Sequence, residues 1–376
     1  MDYRDNIYTR MLGVRPVLGA FETLTAYGNS RMSPAVMRAM TEANEFFVNM
    51  LELNAAAGRR IANILGAQAA MVTTCSASAM LLGAAACMTG TDPDKVAALP
   101  QPTWPKRECL MHRAHRFHYD EIYRASGATI VTVDTREQLI NAIGERTALI
   151  AAMAMTDRDP QPGAPTVAEL IEIGKKAGVP VQVDNAGEAP PLSKLTEYCA
   201  LGADLVNVSG SKALQGPPST GILAGRRDLI DAAILNAAPH DGVGRAAKVG
   251  KEQIIGLLVA LDEYVQRDEA AVLRQGSAVA RYIVEHLEGV PGLTATLRRS
   301  AKGCDDVEFS WDRSVIALSE EQVRERLLNG EPRVIYMPAI LYAYRGPTLV
   351  TALLRPGEET MVAQRLREFF LEAGAT

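Results

Sequence analysis

From about residue 69 to residue 225, short uninterrupted apolar runs alternate with helical patterns, and this alternation constrains the fold more than any other property of the chain. Ala69–Thr73, Glu108–His112, Ala128–Val133, Thr147–Met153, Pro180–Asp184, Asp204–Val208 and Gly221–Ala224 each read as buried strands. Ala77–Met88, Tyr119–Ser126, Thr135–Ile143, Thr166–Lys176 and Ser193–Ala200 read as helices between many of them. Strands that are apolar throughout are buried on both faces, and a helix between successive strands is the crossover that parallel pairing needs. The expected fold class is therefore α/β, a mostly parallel sheet of the seven runs with helices on both faces. The link from Ser209 to Thr220 breaks the pattern, because it is short, contains Gly-Pro-Pro and has no room for a helix.

Beyond this core, Lys251–Leu287 reads as one long helix. A more polar α+β tail follows, with strands at Leu293–Leu297, Val307–Trp311 and Arg333–Tyr336 and helices at Glu320–Leu328 and Glu358–Glu372. The expected division is an N-terminal arm over residues 1–50, a large domain over 51–245, and a bridging helix with a small C-terminal domain over 246–376. In the arm, Ser33-Pro34 marks a helix start, with serine as N-cap and proline at the first helical position.

Composition excludes several function classes. With 48% hydrophobic residues the chain has enough apolar surface to fold, so it is not intrinsically disordered. No run of about 18 uncharged apolar residues is present, so no membrane span is expected. The five cysteines are odd in number and never form a C-x-x-C pair, which does not suit a disulfide framework. Met1-Asp2-Tyr3-Arg4-Asp5 lacks the apolar core of a signal peptide, and a cytoplasmic location is expected. A net charge of −5 gives no general nucleic-acid footprint.

Four segments carry candidate chemistry. Val179 to Ala186 is an apolar strand ending in Asp184, and ligands of such sheets bind beyond the carboxyl ends of the strands. That carboxylate suits a protonated ring nitrogen or a metal, and equally a helix cap. Ala203 to Lys212 is a buried strand ending in Ser209-Gly210-Ser211-Lys212. A lysine at a buried sheet edge loses solvation, which favours the neutral amine that attacks carbonyls to form a Schiff base; many such lysines are simply surface residues. Thr73 to Ala79 opens a helix with small residues, where free N–H groups and the helix dipole favour a phosphate, although a serine N-cap needs no more. In His112-Arg113-Ala114-His115-Arg116-Phe117-His118, three histidines at i, i+3 and i+6 spread around a helix, and no acid or cysteine completes a zinc set, so no metal is expected. His115, just past a strand end, is placed to stack on a planar ligand. Gly242-Val243-Gly244 lacks the preceding strand of a nucleotide loop.

A phosphate-type helix start, a stackable ring, an acid and a lysine at one end of one sheet are the parts that pyridoxal 5′-phosphate requires. Their order resembles the fold-type-I, aspartate aminotransferase-like family, with its large and small domains. Leu24–Pro34 with Gly-Asn-Ser-Arg-Met-Ser-Pro, Ser-Gly-Ser-Lys at 209–212, Gly-Pro-Pro-Ser at 216–219, Gly225-Arg226-Arg227 and Lys248-Val249-Gly250-Lys251-Glu252 resemble the selenocysteine synthase (L-seryl-tRNA selenium transferase) branch. The resemblance covers about residues 18–270. It implies Lys212 as the lysine that captures the cofactor aldehyde, Asp184 as the ring-nitrogen partner and His115 as the stacker. Ser76, Ala77, Ser78 and Ser209 are then implied in the phosphate cup, with Ala186 beside the cofactor. Arg245, Lys248 and Lys251 form a basic segment that reaches either an anion or solvent. Arg355, with Arg345 as rival, is the candidate for a substrate carboxylate. About 17 residues precede the match, and Cys75-Ser76-Ala77-Ser78 departs from the transferase cup. Both features imply a short form without the tRNA-binding domain, like the relatives that resemble D-glucosaminate-6-phosphate ammonia-lyase. The expected activity is that of a lyase on a small amino acid or amino sugar acid, with aminotransferase, racemase, selenium or sulfur transfer and a non-catalytic scaffold as alternatives. The expected partners are a small-molecule substrate, no nucleic acid and no membrane, in a homodimer or higher homo-oligomer.

Overall fold

A computed structural model of the protein describes residues 2–338, 344 and 346–375. In chain order its strands are β1 (Leu18–Ala20), β2 (Ala69–Thr73), β3 (Glu108–His112), β4 (Thr129–Val133), β5 (Thr147–Met153), β6 (Val181–Asp184), β7 (Leu205–Ser209), β8 (Gly221–Gly225), β9 (Leu293–Arg299), β10 (Asp305–Trp311), β11 (Val334–Tyr336) and β12 (Thr348–Leu349). The chain divides into two compact units, Ser30–Gln266 and Met1–Asn29 with Arg267–Thr376.

The larger unit is built on a seven-stranded sheet in the order β2-β8-β7-β6-β5-β3-β4. Every pairing is parallel except those of β8, which runs antiparallel to β2 and to β7. The helix-free link before β8 explains that reversal, because only antiparallel neighbours can be joined without a crossover. Successive strand residues serve opposite cores, as a pleated strand requires. Val72, Leu110, Ile150, Val206 and Ile222 pack on one face with Leu65, Leu170, Leu195 and Leu257 from the helices. Met71, Met111, Leu149, Leu205 and Leu223 pack on the other with Met80, Leu82, Leu229 and Ile230. The Ser76–Thr89 helix is almost wholly buried, which its run of alanines and other apolar residues permits.

Several elements differ from expectation. The single helix expected over Lys251–Leu287 is two, Lys251–Gln266 and Glu269–Leu287. Asp268 starts the second by accepting the Ala271 N–H at 2.9 Å, the competition with helix continuation that aspartate is suited to. The Met50–Leu65 helix, capped by Asn49, is an element the sequence reading passes over. The units also divide at other points than residues 50 and 245. Ile254, Leu257, Leu261 and Tyr264 of the first helix half bury in the larger unit's core. Residues 1–29 belong with the C-terminal part because β1 pairs in parallel with β11. Ser33 caps the Pro34–Asn44 helix through Val36 N–H at 3.2 Å, with Pro34 at its first position.

The smaller unit is α+β. Its antiparallel sheet runs β12-β10-β9, and Val307, Phe309, Ile283, Leu366 and Phe370 form its core. Among the described residues no helix is long and apolar enough to cross a membrane.

Candidate active site

The carboxyl ends of β5, β6 and β7 lie side by side, with Met153 opposite Asp184 and Asp184 opposite Asn207. Asp184 is buried at the last position of β6. Its Oδ1 accepts from Asn207 Nδ2 at 2.7 Å, from the Ala186 backbone N–H at 3.1 Å and from Ser76 Oγ at 3.4 Å. Burial pushes its carboxyl above the usual range, against the opposing pull of the Lys212 ammonium and of these three donors. A cation brought beside it would offset that desolvation.

Lys212 stands in the turn after β7. Three backbone hydrogen bonds tie the loop, from Gly210 to Thr220 O at 3.0 Å, from Gly216 to Gly210 O at 2.8 Å and from Gln215 to Lys212 O at 3.0 Å. Ser30 Oγ adds a fourth, donating to Ser211 O at 2.6 Å. The loop therefore fixes where the lysine starts, while its side chain is only half-buried. A Cβ at Gly187 would lie 3.3 Å from Lys212 Nζ, so glycine there leaves the amine its room.

His115 is fully buried in a short turn after β3. Its Nδ1 faces the Met153 backbone N–H at 3.0 Å and its Nε2 faces Pro165 O at 2.9 Å. A backbone N–H only donates, so Nδ1 is the acceptor and Nε2 carries the proton. Burial lowers the imidazole's basicity further, so the ring is neutral and both its nitrogens are committed. What it presents to a ligand is a flat, uncharged face.

At the start of the Ser76–Thr89 helix, Cys75 Sγ accepts from the Ser78 N–H at 3.4 Å. Ser78 Oγ bonds Thr74 Oγ1 at 2.5 Å and Cys75 Sγ at 3.2 Å. Gly221 lets this turn approach β8, because a Cβ there would fall 2.4 Å from the Cys75 carbonyl carbon. The N–H groups of Ser76 and Ala77 lie in the first turn, where a helix offers them no acceptor. The Ser76 hydroxyl, however, faces Asp184 and accepts from Asn207 Nδ2 at 2.6 Å instead of adding to a phosphate cup. Ser209 Oγ lies 3.5 Å from Ser211 Oγ, at the end of β7. These groups suit pyridoxal 5′-phosphate: a helix N-terminus for the phosphate, a neutral ring face, a buried carboxylate in need of a cation, and an amine.

Other candidates have their own surroundings. The Arg355 backbone N–H donates to Glu358 Oε2 at 2.9 Å in the smaller unit, at the start of the Glu358–Gly374 helix. Arg345 lies outside the described residues. Arg245 pairs with Asp241 at 3.4 Å, and Lys251 with Glu252 and with Ala43 O at 2.8 Å, so two of the basic segment's three cations have partners. His112 Nε2 meets Asp134 O at 2.8 Å, and among the described residues no cluster of three or more His, Cys, Asp or Glu is placed to hold a metal. The sequence reading missed Asn207 and Gln182 as parts of the site. Gln182 Nε2 donates to Ala79 O at 3.0 Å and approaches Asn207 Oδ1 at 3.5 Å. Their signal was available: each is a polar residue flanked on both sides by apolar ones within a buried strand.

Comparison with known proteins adds the following. The family model described as SelA: L-seryl-tRNA selenium transferase matches residues 24–275. The 5′-C-glycyluridine monooxygenase-decarboxylase of Streptomyces sp is 33% identical, over 96% of this chain and 92% of its own. The D-glucosaminate-6-phosphate ammonia lyase of Salmonella typhimurium is 30% identical, over 96% of this chain and 97% of its own. A solved structure of D-glucosaminate-6-phosphate ammonia-lyase has a TM-score of 0.86 and 28% identity, covering 99% of this chain and all of that one. These findings correct the expected placement in the selenocysteine synthase branch. The selenium transferase model stops at residue 275, whereas the similarity to the lyase and the monooxygenase-decarboxylase runs nearly the whole length, through the smaller unit.

Proposed function

The chain belongs to the family that the selenium transferase model describes and is a fold-type-I pyridoxal-phosphate enzyme, and from that premise we propose that it is a lyase acting on a small amino acid or amino sugar acid. The observation that carries this reading is the near full-length likeness to an ammonia lyase, joined to a lysine, an acid and a neutral ring at adjoining strand ends. When bound, the cofactor supplies an aldehyde that captures amines and a ring that withdraws electrons from the substrate's Cα. Asp184 would pair with the protonated ring nitrogen, His115 would offer its face to the ring, and the first-turn N–H groups of Ser76 and Ala77 would hold the phosphate with Ser78 and Ser209. Ala186 contributes the N–H that steadies Asp184. Lys212 would hold the aldehyde and is the amine proposed to take the substrate's Cα proton as general base. Arg355 is the proposed anchor for the substrate carboxylate.

The test is a screen of amino acids and amino sugar acids for Cα hydrogen–deuterium exchange, with ammonia release measured alongside. Lys212→Ala is expected to abolish the cofactor's visible absorbance band and lower exchange by roughly 10²–10⁴-fold or more. If the wild-type protein gains no such band with added cofactor, the reading fails. A second reading, oxygen-dependent decarboxylation, is favoured by the 33% identity to the monooxygenase-decarboxylase. Ammonia release that persists without oxygen supports the lyase; carbon dioxide release that requires oxygen supports the second reading. The protein is further read as cytoplasmic, in keeping with five cysteines that are all free, and as acting without nucleic acid, in keeping with its negative charge. The exposed side chains of Phe46, Phe47 and Leu51 support a homodimer or higher homo-oligomer, which sedimentation as a monomer at micromolar concentration would refute.

A further inference from the structure

All three hydrogen bonds to the Asp184 carboxylate described above fall on one oxygen, Oδ1. Two of the three donors are side chains from different elements. Asn207 Nδ2 has two protons, and its two partners, Asp184 Oδ1 at 2.7 Å and Ser76 Oγ at 2.6 Å, use both. Ser76 Oγ, having accepted from Asn207, has its own proton left to give Asp184. The amide orientation of Asn207 is fixed from behind, because Gln182 donates to its Oδ1 side while also bonding Ala79 O. Gln182 is itself confined by Gly83, where a Cβ would lie 2.5 Å from its amide nitrogen.

We propose that Asn207 and Ser76 are positioning residues for cofactor chemistry: they bind Oδ1 of Asp184 so that Oδ2 is the oxygen offered to the cofactor's ring nitrogen. This rests on the pyridoxal-phosphate reading above. The arrangement also joins two ends of one ligand site. Ser76 is the first residue of the helix whose N-terminus would hold the phosphate, and its hydroxyl is in the Asp184 network. Donors on one oxygen favour the ionised carboxylate, since a charged acceptor takes the stronger hydrogen bonds. An ionised Asp184 keeps the ring nitrogen protonated. The other titratable groups coupled to the carboxylate are Lys212, whose charge favours ionisation, and Tyr123, whose deeply buried phenol stays protonated; the neutral His115 bonds Met153, the register neighbour of Asp184.

The test uses pyridoxal 5′-phosphate labelled with ¹⁵N in the ring, bound to the full chain and titrated by NMR. In Asn207→Ala the ring nitrogen is expected to lose its proton about one pH unit or more lower than in wild type, the size expected for a lost bond to a charged group. Ser76→Ala is expected to move it the same way by less, and Ser76→Thr to restore it. Melting curves accompany each variant, and if Asn207→Ala does not fold, the Ser76 pair decides. Unchanged titration in the folded variants, or weaker cofactor binding with unchanged titration, overturns the proposal while leaving the cofactor reading intact. A wild-type protein that binds no labelled cofactor overturns both.

Discussion

Asp184 in the larger unit and Asp306 in the smaller are both carboxylates on strands, 6% and 2% exposed, and burial raises the proton affinity of each. Their surroundings differ. Asp184 has three donors on Oδ1 and an ammonium within electrostatic reach. Asp306, on β10, has an Oδ1 with no hydrogen-bond partner among the described residues. Its carboxyl is pushed up to about 7 by burial and by Glu22, against the pull of Arg298 and Lys302. Glu22 already holds Lys302 at 3.2 Å and the Tyr344 hydroxyl at 2.8 Å, so that lysine is shared. In Asp306, burial and a neighbouring carboxylate together favour the neutral acid. A buried acid that is to meet a cation needs donors built around it, and the larger unit has them.

The largest test of this contrast exchanges each acid for its amide. Asp184→Asn is expected to lower kcat by about 10²–10³-fold, the loss typical of a removed electrostatic partner at a reacting centre. Asp306→Asn is expected to leave kcat unchanged. Steady-state kinetics on the substrate found by exchange measures both, and equal losses would erase the distinction.

The second test concerns stability. Asp306 holds a proton in the folded state up to about pH 7, whereas its unfolded value is near the ordinary 3.8. Between these limits the folded state binds the extra proton, so stability falls as pH rises through the window, by at most about 4 kcal/mol. Urea denaturation at intervals from pH 4 to pH 8 reads this slope, which is expected to flatten in Asp306→Asn. A parent protein with no decline over that range would contradict the assignment.

The smallest expected effect comes from the support behind Asp184. Gly83→Ala places a methyl group against the Gln182 amide, where the gap is 2.5 Å. The expected cost is about 1–3 kcal/mol of stability through overpacking, measured by chemical denaturation. If the variant is as stable as the parent, Gln182 is free to move and does not brace Asn207.

Much of this architecture was legible in the chain. Ala69–Thr73, Glu108–His112 and Thr147–Met153 were readable to the residue because strands buried on both faces have unbroken apolar interiors, with polar residues only at their ends. Asp184 stood out because it ends such a run, and Lys212 because it lies three residues past the end of the next strand. The break at Asp268 was not, since the apolar spacing continues through it and only the cap to Ala271 ends the helix. Nor was the assignment of β1, whose partner β11 lies more than 300 residues along the chain. Ser76 was legible as a helix start but not in its role, because its hydroxyl faces a residue 108 positions away.

The sequence by itself therefore determined the alternation that forces a parallel sheet, the reversal at the helix-free link, and the residue types at the strand ends. Those follow from local rules of periodicity, propensity and turn chemistry, which act over a few residues. The tertiary structure decided which oxygen of Asp184 is bonded, which nitrogen of His115 carries its proton, and that Oδ1 of one buried acid has three donors while Oδ1 of the other has none among the described residues. Each of these depends on groups from separate strands and helices meeting within hydrogen-bond distance, and only strand order and register determine which groups meet.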